Sequence, residues 1–424
     1  MEPSFFLIYD IDTKTLWHKN AAIDRFEHRT CSGERLIFEC TVDGLKWETP
    51  FFLLDNIFHF QKGSRVYFGR HLDQFRGWTE PDLEANALIR EHGFLPHART
   101  QLKGVRIVCS YLAYALGHNG ITVTSCFPLN SGTEQYSIDD LMDVFRDAFR
   151  RQLERINLES WVLPLSGGMD SRMLLSLALE HKDIDLNLFT VGTLRSGDVK
   201  VSKAISQSLG LEKKHKVLNL ESITRSDLLE NYRACDYLLP LDRILTKSLG
   251  DFYKPSAVLS GLYGDVIFAD NKPDCVGYSE YYKNEGFNEF DTFDTQIFQA
   301  YEGLPKLNKI QRVALRCQKL TRQSFPISSG FFFSTPFVDP HVLIVSSNIQ
   351  KLNIYQNLVT RHMHPELRQF IHQSTLSYFT HPNWLRVAER KVFKLFRHPA
   401  RNPYFDSTFL RSIGVVPNEA PFLE

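Results

Sequence analysis

The residues best suited to chemistry in this sequence lie in one short segment, Ser166-Gly167-Gly168-Met-Asp170-Ser171. The two glycines let the backbone come close to a ligand, and amides at a helix N-terminus form a nest for phosphate. Ser166 and Ser171 add hydroxyl donors. Asp170 beside a phosphate calls for a divalent cation between the two, so the pattern predicts Mg²⁺.

The segments on either side of Ser166–Ser171 favour this interpretation over the alternative, a plain Gly-Gly turn at a helix start. Trp161–Leu165 predicts a short apolar strand, and Met173–Glu180 predicts a helix. The segment has neither the Gly-Lys-Ser/Thr ending of a Walker loop nor the GxGxxG pattern of dinucleotide-binding folds. The sequence therefore predicts a phosphate site of another kind.

Strands and helices alternate after this loop. The predicted elements are the strand Leu186–Val191, the helix Val199–Leu209 ended by Gly210, the strand His215–Leu220 and the strand Val258–Gly261. Alternation at this spacing indicates parallel βαβ units in a doubly wound sheet, and so an α/β fold class. After about residue 280 the chain is aromatic and predicts a helical C-terminal half.

Residues 1–135 predict a smaller, β-rich N-terminal domain. Short apolar runs recur there, with turn signals at Asp43-Gly44 and Asn119-Gly120 between them. The runs are Phe5–Tyr9, Leu36–Cys40, Val66–Phe68, Val105–Leu112 and Ile121–Phe127. Residues 130–133 predict a linker, and Ser137 is the expected N-cap of a helix that opens a second domain, residues 136–424.

Composition narrows the class of protein. The chain has 424 residues, and its 49 Lys and Arg balance 49 Asp and Glu, so nucleic-acid and anionic-membrane partners are not expected. Seven scattered cysteines form no CxxC pair, which argues against a disulfide framework or a zinc ribbon. The start has no basic, apolar leader pattern and no long apolar run follows, so we expect a cytoplasmic protein.

The strand, loop and helix around Ser166–Ser171 resemble the PP-loop of ATP pyrophosphatases, which bind the pyrophosphate of ATP while an oxygen attacks the α-phosphate. A β domain before the loop and a helical half after it are similar to asparagine synthetases and their β-lactam-forming relatives. Three further segments resemble that family: Phe189–Thr193 with Asp198, Val258–Phe268 and Ser334–Val342. The resemblance implies an adenine nucleotide α-hydrolase-like fold that uses ATP and Mg²⁺.

The resemblance also implies roles for individual residues. Those that would bind the nucleotide are Ser166, Gly167, Gly168, Asp170, Ser171, Val191, Ser260 and Gly261. Asp170 and Asp265 would be the Mg²⁺ ligands, and two carboxylates from separate strand ends are suited to a metal that bridges phosphates. The alternative for Asp265 is a turn aspartate after Gly264.

The N-terminal domain departs from the family pattern at its start. Glutamine-using asparagine synthetases carry a cysteine nucleophile after the initiator Met, whereas this chain has Glu2 there and its first cysteine is Cys31. The segment from Thr100 to Gly104 still resembles the family's Thr-x-x-x-Gly edge. We therefore expect a degenerate glutaminase-like domain without glutaminase activity, kept for scaffolding or substrate docking.

A second departure lies just before Asp265. Amidating members of the family carry Glu three residues before the metal aspartate, where this chain has Leu262, and the Glu that follows is replaced by Val266. The β-lactam-forming relatives place a catalytic Tyr at the position of Leu262, and Tyr263 lies one residue later. Ordinary asparagine synthesis is therefore not expected, and Tyr263 is a candidate catalytic residue through a local shift.

The family also uses a late lysine to stabilise charge at the adenylated carbonyl. Lys391 is the candidate here because its Lys-x-Phe setting resembles the family's C-terminal motif, and Lys394 is the second candidate. The alternative for either lysine is a solvated basic helix face.

The neutral total conceals segregated charge. Six basic residues at helical spacing between Lys306 and Arg322 predict a basic stripe, and an acidic segment spans residues 274–294. Like charges at these spacings destabilise a helix, so an anionic partner is expected. In one interpretation, the basic stripe pairs with the acidic segment of the same chain. In the other, the basic stripe docks an acidic peptide, a carrier protein or a phosphorylated substrate.

Together these features predict an ATP-dependent, AMP-forming ligase that adenylates a substrate carboxylate and joins it to an amine. The product would be an intermolecular amide or a lactam or macrolactam ring on a small molecule or peptide, as in a biosynthetic tailoring step. A PP-loop enzyme of tRNA modification and a non-catalytic nucleotide-binding protein are the alternatives. Sulfur transfer by the former often uses paired cysteines, which this chain lacks.

Overall fold

The computed structural model describes residues 5–30, 32–50, 53, 55–95, 98–126, 134–234, 236–238, 256–268, 287, 290–302, 331–349, 354–370 and 407–416. Lys391, Lys394, the basic stripe, most of the acidic segment and the predicted linker lie outside these residues. The boundary between residues 135 and 136 stays a prediction. In the part of the chain described, no helix is long and apolar enough to cross a membrane.

The N-terminal part contains two antiparallel sheets. In sheet order, the first has β3 (Ala21–Ile23), β2 (Thr15–His18), β1 (Phe6–Asp10), β8 (Arg65–Gly69), β7 (Phe58–Lys62) and β9 (Arg106–Ile107). The second has β11 (Gly120–Ser125), β10 (Leu112–Gly117), β6 (Gly44–Glu48), β5 (Arg35–Thr41) and β4 (Arg25–Arg29). The predicted β-rich character of this region is confirmed.

Alternating apolar residues explain how the two sheets meet. Along β1 every second side chain is buried, which is the pattern of a strand with one face on a core. The ring of Phe68 on β8 lies 5.0 Å from Phe38 on β5 and 5.2 Å from Trp47 on β6, measured between centroids. The sheets therefore pack face to face through aromatic side chains.

Two details of this region differ from the sequence prediction. The run Val105–Leu112 is not one strand, because Tyr111 has a left-handed φ of 65° that separates β9 from β10. Helix α1 (Leu83–His92) interrupts the strands, with Asp82 as its N-cap and Gly93 in the left-handed conformation at its end.

A five-stranded parallel sheet forms the second half of the fold. Its order is β14 (His215–Asn219), β13 (Asp185–Gly192), β12 (Ser160–Pro164), β15 (Ala257–Leu259) and β16 (Phe332–Ser334). All neighbours are parallel, and Trp161 on β12 pairs with Leu186 on one side and Ala257 on the other. The predicted doubly wound α/β sheet is confirmed, while β16 adds a strand where only helices were expected.

Helices flank the sheet in the part of the chain that the structure describes. They are α2 (Ile138–Ile156), α3 (Met169–Glu180), α4 (Gly197–Ser208), α5 (Arg225–Ala234), α6 (Gly264–Ile267), α7 (Thr292–Glu302), α8 (Pro340–Ser347), α9 (Ile354–Arg361), α10 (Pro365–Arg368) and α11 (Ser407–Ser412). Ser137 caps α2 as predicted, in a reciprocal capping box with Asp140. The later helices agree with the predicted helical C-terminal half.

Buried polar contacts join the two sheets of the N-terminal part to the later chain. The Asp236 carboxylate accepts hydrogen bonds from Asn56 Nδ2 at 2.9 Å and from the Leu72 amide at 3.0 Å. The Tyr301 hydroxyl on α7 donates to the Ser110 carbonyl at 2.8 Å. Asp236 and Tyr301 are both buried, so these contacts are shielded from water.

His215 links β12, β13 and α4 behind the loop that follows β12. Its Nε2 lies 2.8 Å from Thr190 Oγ1, and Thr190 Oγ1 donates to the Leu165 carbonyl at 2.6 Å. Its Nδ1 lies 3.0 Å from Ser206 Oγ on α4. Burial, with a smaller contribution from the charge of Lys203, lowers the pKa of His215 to about 4.

We expect this histidine to make the folded protein less stable in mild acid. Because the folded-state pKa lies below the ordinary value of 6.5, the folded state binds the proton later than the unfolded chain does. The contribution of His215 to stability is therefore present above pH 6.5 and is lost progressively as the pH falls to about 4. Denaturant unfolding of the wild type and His215→Gln across this range measures it.

The difference in unfolding free energy between wild type and His215→Gln should shrink as the pH is lowered from 7 to 4. A difference that stays constant with pH would contradict the assignment. The comparison with the variant removes the contributions of other titrating groups, because they are common to both proteins.

Candidate active site

The loop from Leu165 to Gly168 lies at the carboxyl edge of the parallel sheet, where the strand order reverses. From β12 the chain proceeds outward to β13 and β14, and it then returns to add β15 and β16 on the other side. In open α/β sheets this switch point leaves a crevice at the carboxyl ends of the strands, where ligands bind. The predicted phosphate loop is therefore at the position in the fold best suited to bind a ligand.

Hydroxyl groups brace the loop from within. Ser171 Oγ, in the first turn of α3, lies 3.1 Å from Ser166 Oγ and accepts from the Ser166 amide at 3.2 Å. Ser166 Oγ in turn accepts from the Gly168 amide at 3.1 Å. These bonds curl the backbone so that Gly168 becomes the N-cap residue of α3.

Asp198, in the first turn of α4, holds the loop from the neighbouring strand. Its Oδ1 accepts a hydrogen bond of 2.8 Å from the Gly167 amide. Burial raises the pKa of Asp198, and the hydrogen bond from Gly167 opposes that shift. The loop between β12 and α3 is therefore tied to the helix that follows β13.

The N-terminus of α3 supplies the electrostatics of an anion site. Gly168 has no side chain to cap the first amides of this 12-residue helix. Unsatisfied amides at a helix N-terminus carry partial positive charge and point at an incoming anion. A phosphate group bound beside Gly168 would accept hydrogen bonds from these amides.

The carboxyl group of Asp170 lies against the turn between β15 and α6. An added Cβ on Gly264 would come within 2.4 Å of Asp170 Cγ, and one on Gly261 within 3.2 Å of Asp170 Cβ. Glycine is therefore required at position 264 by close approach. The Tyr355 hydroxyl on α9 donates a hydrogen bond to Asp170 Oδ1.

Asp265 brings a second carboxylate to the same place. It is the exposed second residue of α6, and its backbone amide donates to the Asp170 carboxylate. Burial and, to a smaller extent, the Asp265 charge raise the pKa of Asp170 to about 7, against the effect of the Tyr355 hydrogen bond. A divalent cation would relieve this repulsion.

The donor set suits Mg²⁺ better than a metal held by protein alone. Among the described residues no group of three or more His, Cys, Asp or Glu side chains could hold a metal. Mg²⁺ in nucleotide sites takes one or two carboxylates, and phosphate oxygens and water complete its shell. Asp170 and Asp265 fit that pattern beside a phosphate site.

The other residues predicted to bind nucleotide lie at strand ends on both sides of the loop. Val191 is near the end of β13, and Ser260 and Gly261 follow β15 directly. The Ser260 amide donates to the Ser334 carbonyl at 2.8 Å, which ties this turn to β16. These positions border the same crevice, and their contacts to nucleotide stay a prediction.

Tyr263 has a buried side chain. Its side chain is 2% exposed and belongs to the hydrophobic core, and its backbone has a left-handed φ of 71° at the start of α6. The preceding Leu262 accepts a hydrogen bond from Thr335 Oγ1 through its carbonyl at 2.9 Å. A catalytic role for Tyr263 stays a prediction.

Sequence reasoning missed two residues of the site: Arg172, which contacts the loop, and Tyr355, which contacts Asp170 on α3. Arg172 follows the serine–glycine motif directly and donates to the Gly167 carbonyl, so its position alone was a usable signal. Tyr355 carries no local signal, because it comes from a helix 185 residues away. Asp198 belonged to a segment that resembles the family, but its bond to Gly167 was not predicted.

Comparisons with known proteins agree with this geometry. Residues 140–324 match the family model described as asparagine synthase. That span contains the loop, both aspartates and the strands β12 to β15. No curated protein sequence matches the chain.

One solved structure that resembles the chain is the U34-tRNA thiolase NcsA from Methanococcus maripaludis with its 4Fe-4S cluster. It shares 13% sequence identity over 66% of this chain and 79% of that chain, with a TM-score of 0.27. At that TM-score nothing about this chain follows from the likeness.

We expect Gly264→Ala to destabilise the protein, because the new methyl group would overlap the Asp170 carboxyl group. Overpacking of this kind costs about 1–3 kcal/mol in the free energy of unfolding. Thermal or denaturant unfolding measures the loss. Gly117→Ala is the matched control, because a Cβ there meets nothing closer than the Asp43 carbonyl at 3.5 Å. Equal stability of the two variants would contradict the close approach at Gly264.

Proposed function

We propose, on the premise that residues 140–324 belong to the asparagine synthase family, that this protein is an ATP-dependent, AMP-forming ligase. It adenylates a carboxylate substrate and then forms an amide with an amine. ATP is the co-substrate and Mg²⁺ the metal. The observation that carries the proposal is the loop from Leu165 to Gly168, here called the anion-binding loop, at the switch point of the sheet with the carboxylates of Asp170 and Asp265 beside it.

The residues of the site have distinct tasks in this reaction. The first amides of α3 and the hydroxyls of Ser166 and Ser171 bind the β- and γ-phosphates as hydrogen-bond donors. Asp170 and Asp265 would hold Mg²⁺, whose charge would offset that of the departing pyrophosphate. Val191, Ser260 and Gly261 border the nucleotide at the neighbouring strand ends.

The chemistry proceeds in two displacements. A carboxylate oxygen of the substrate attacks the α-phosphorus of ATP, and the bond to pyrophosphate breaks. The amine nitrogen then attacks the acyl carbon, AMP leaves with the bonding electron pair, and the amine gives up a proton. Because the acyl adenylate reacts with water, the site must exclude water during the second step.

The proposed amine is free ammonia, a separate substrate or a group in the same molecule as the carboxylate. The last possibility makes the product a lactam or macrolactam, and all three are consistent with a biosynthetic tailoring step.

The proposal also assigns roles toward the carboxylate and amine substrates. Lys391, with Lys394 as the alternative, would stabilise charge at the adenylated carbonyl, and Tyr263 is the candidate in place of the family's acidic residue. The basic stripe of residues 306–322 would dock an acidic peptide or a carrier protein. Ordinary asparagine synthesis is not proposed, because Leu262 and Val266 replace the family's acids.

Asp170→Asn and Asp265→Asn should each weaken Mg²⁺-dependent ATP binding by roughly 10- to 100-fold, the loss typical when a metal's coordination is disturbed. Asparagine keeps the shape of the side chain but removes the charge that holds the cation. Calorimetry with ATP in the presence and absence of Mg²⁺ measures the effect. Asp147→Asn, on the exposed face of α2, is the matched control and should bind like the wild type.

Pyrophosphate release with a panel of carboxylates and amines tests the reaction itself. Pyrophosphate release by the wild type that is lost in Asp170→Asn would support the proposed ligase activity. ATP binding without pyrophosphate release from any member of a broad panel would favour the non-catalytic alternative. Wild-type protein that does not bind ATP with Mg²⁺ would refute the proposal.

A further inference from the structure

The chain from residue 354 to residue 370, here called the docking segment, lies along α3 and contacts it at three points. Near its start, the Tyr355 hydroxyl donates to Asp170 Oδ1. In its middle, the His364 amide donates to Ser176 Oγ at 2.8 Å. At its end, the Phe370 carbonyl accepts from Arg172 Nη1 at 2.8 Å.

Arg172 joins this segment to the anion-binding loop. Its guanidinium group donates through Nη2 to the Gly167 carbonyl at 2.8 Å and through Nη1 to the Phe370 carbonyl. The residue is only 1% exposed, so the charge is held almost wholly away from water. Burial lowers the pKa of Arg172 to about 10, which still leaves it charged at neutral pH.

Burying an arginine at this position costs free energy, so its two hydrogen bonds should have a structural role. Removing a charged side chain from water is unfavourable, and hydrogen bonds to two carbonyl groups offset only part of that cost. An apolar residue at position 172 would pack into the same core without this desolvation cost. The two bonds instead fix the peptide between Gly167 and Gly168, whose amide faces the interior of the loop at Ser166 Oγ.

Tyr355 provides the second link from the other end of the segment. Its ring packs edge-on against Phe268, with centroids 5.6 Å apart, which fixes the direction of the hydroxyl group. The docking segment therefore contacts both the carboxylate and, through Arg172, the backbone of the candidate site.

We propose that Arg172 and Tyr355 are positioning residues that couple occupancy of the anion-binding loop to the docking segment. Phosphate bound at the first amides of α3 shifts or rigidifies the adjacent Gly167 peptide, and the Arg172 guanidinium group transmits that change to the Phe370 carbonyl. Mg²⁺ held by Asp170 would compete with the Tyr355 hydroxyl for that carboxylate. The coupling rests on the proposed function, because it requires ATP and Mg²⁺ to bind at this loop.

Amide hydrogen exchange of the full-length protein with and without ATP and Mg²⁺ tests the coupling. In the wild type, we expect exchange in peptides that cover residues 354–370 to change by threefold or more on addition of ATP. Tyr355→Phe, which removes one hydroxyl group, should lose most of that change near residue 355. Arg172→Lys, which keeps the charge but cannot make both bonds, should lose it near residue 370.

Ser176→Ala is the matched control, because it removes the third contact of the segment without touching the loop. It should keep the full response to ATP. A response that falls equally in Ser176→Ala and in the two linked variants would overturn the proposal, because general loosening of the interface would then explain all three. Calorimetry on each variant establishes that ATP is bound in the exchange experiment.

The outcomes separate this inference from the proposed function. If the wild type binds ATP and the exchange of residues 354–370 does not change, the coupling is wrong while the nucleotide site stands. If the wild type does not bind ATP with Mg²⁺, the nucleotide site is wrong and the coupling is refuted with it. Tyr355→Phe tests the link even if Arg172→Lys does not fold, since it leaves the buried charge in place.

Discussion

The close approach of Gly264 to Asp170 is the constraint on which the candidate site depends. With no Cβ at position 264, the turn after β15 lies against the Asp170 carboxyl group, and the Asp265 amide reaches it. Two carboxylates from separate strand ends are thereby brought together beside a helix N-terminus. Burial and, to a smaller extent, the charge of Asp265 raise the pKa of Asp170, and a cation bound between them would favour the charged carboxylates.

The surroundings of the loop hold it in shape through polar bonds. Asp198 holds the Gly167 amide and Arg172 holds the carbonyl of the same residue, so the glycine's conformational freedom is restricted on both sides. Such preorganisation reduces the entropy lost when a ligand binds. The position of Gly167, which follows β12, therefore also depends on α4 through Asp198 and on the docking segment through Arg172.

Much of the fold could be predicted from the sequence, because the relevant signals are local. The alternation of strand and helix predicted the parallel sheet, and the Ser137 cap predicted the start of α2. The strand β16 could not be predicted in this way, since Phe332–Ser334 is too short to show any periodicity and, among the described residues, pairs with β15 alone. The break at Tyr111 was missed because nothing in its neighbours requires a left-handed residue.

The sequence by itself determined the strand, the Ser166–Ser171 loop and the helix that follows, because a phosphate nest is built from consecutive residues whose types dictate its backbone. Only the tertiary structure decided which distant groups meet it. Tyr355 reaches Asp170 across 185 residues, and Arg172 meets Phe370 across 198. Contacts of that kind depend on how packed elements are oriented, which no local pattern of residues encodes.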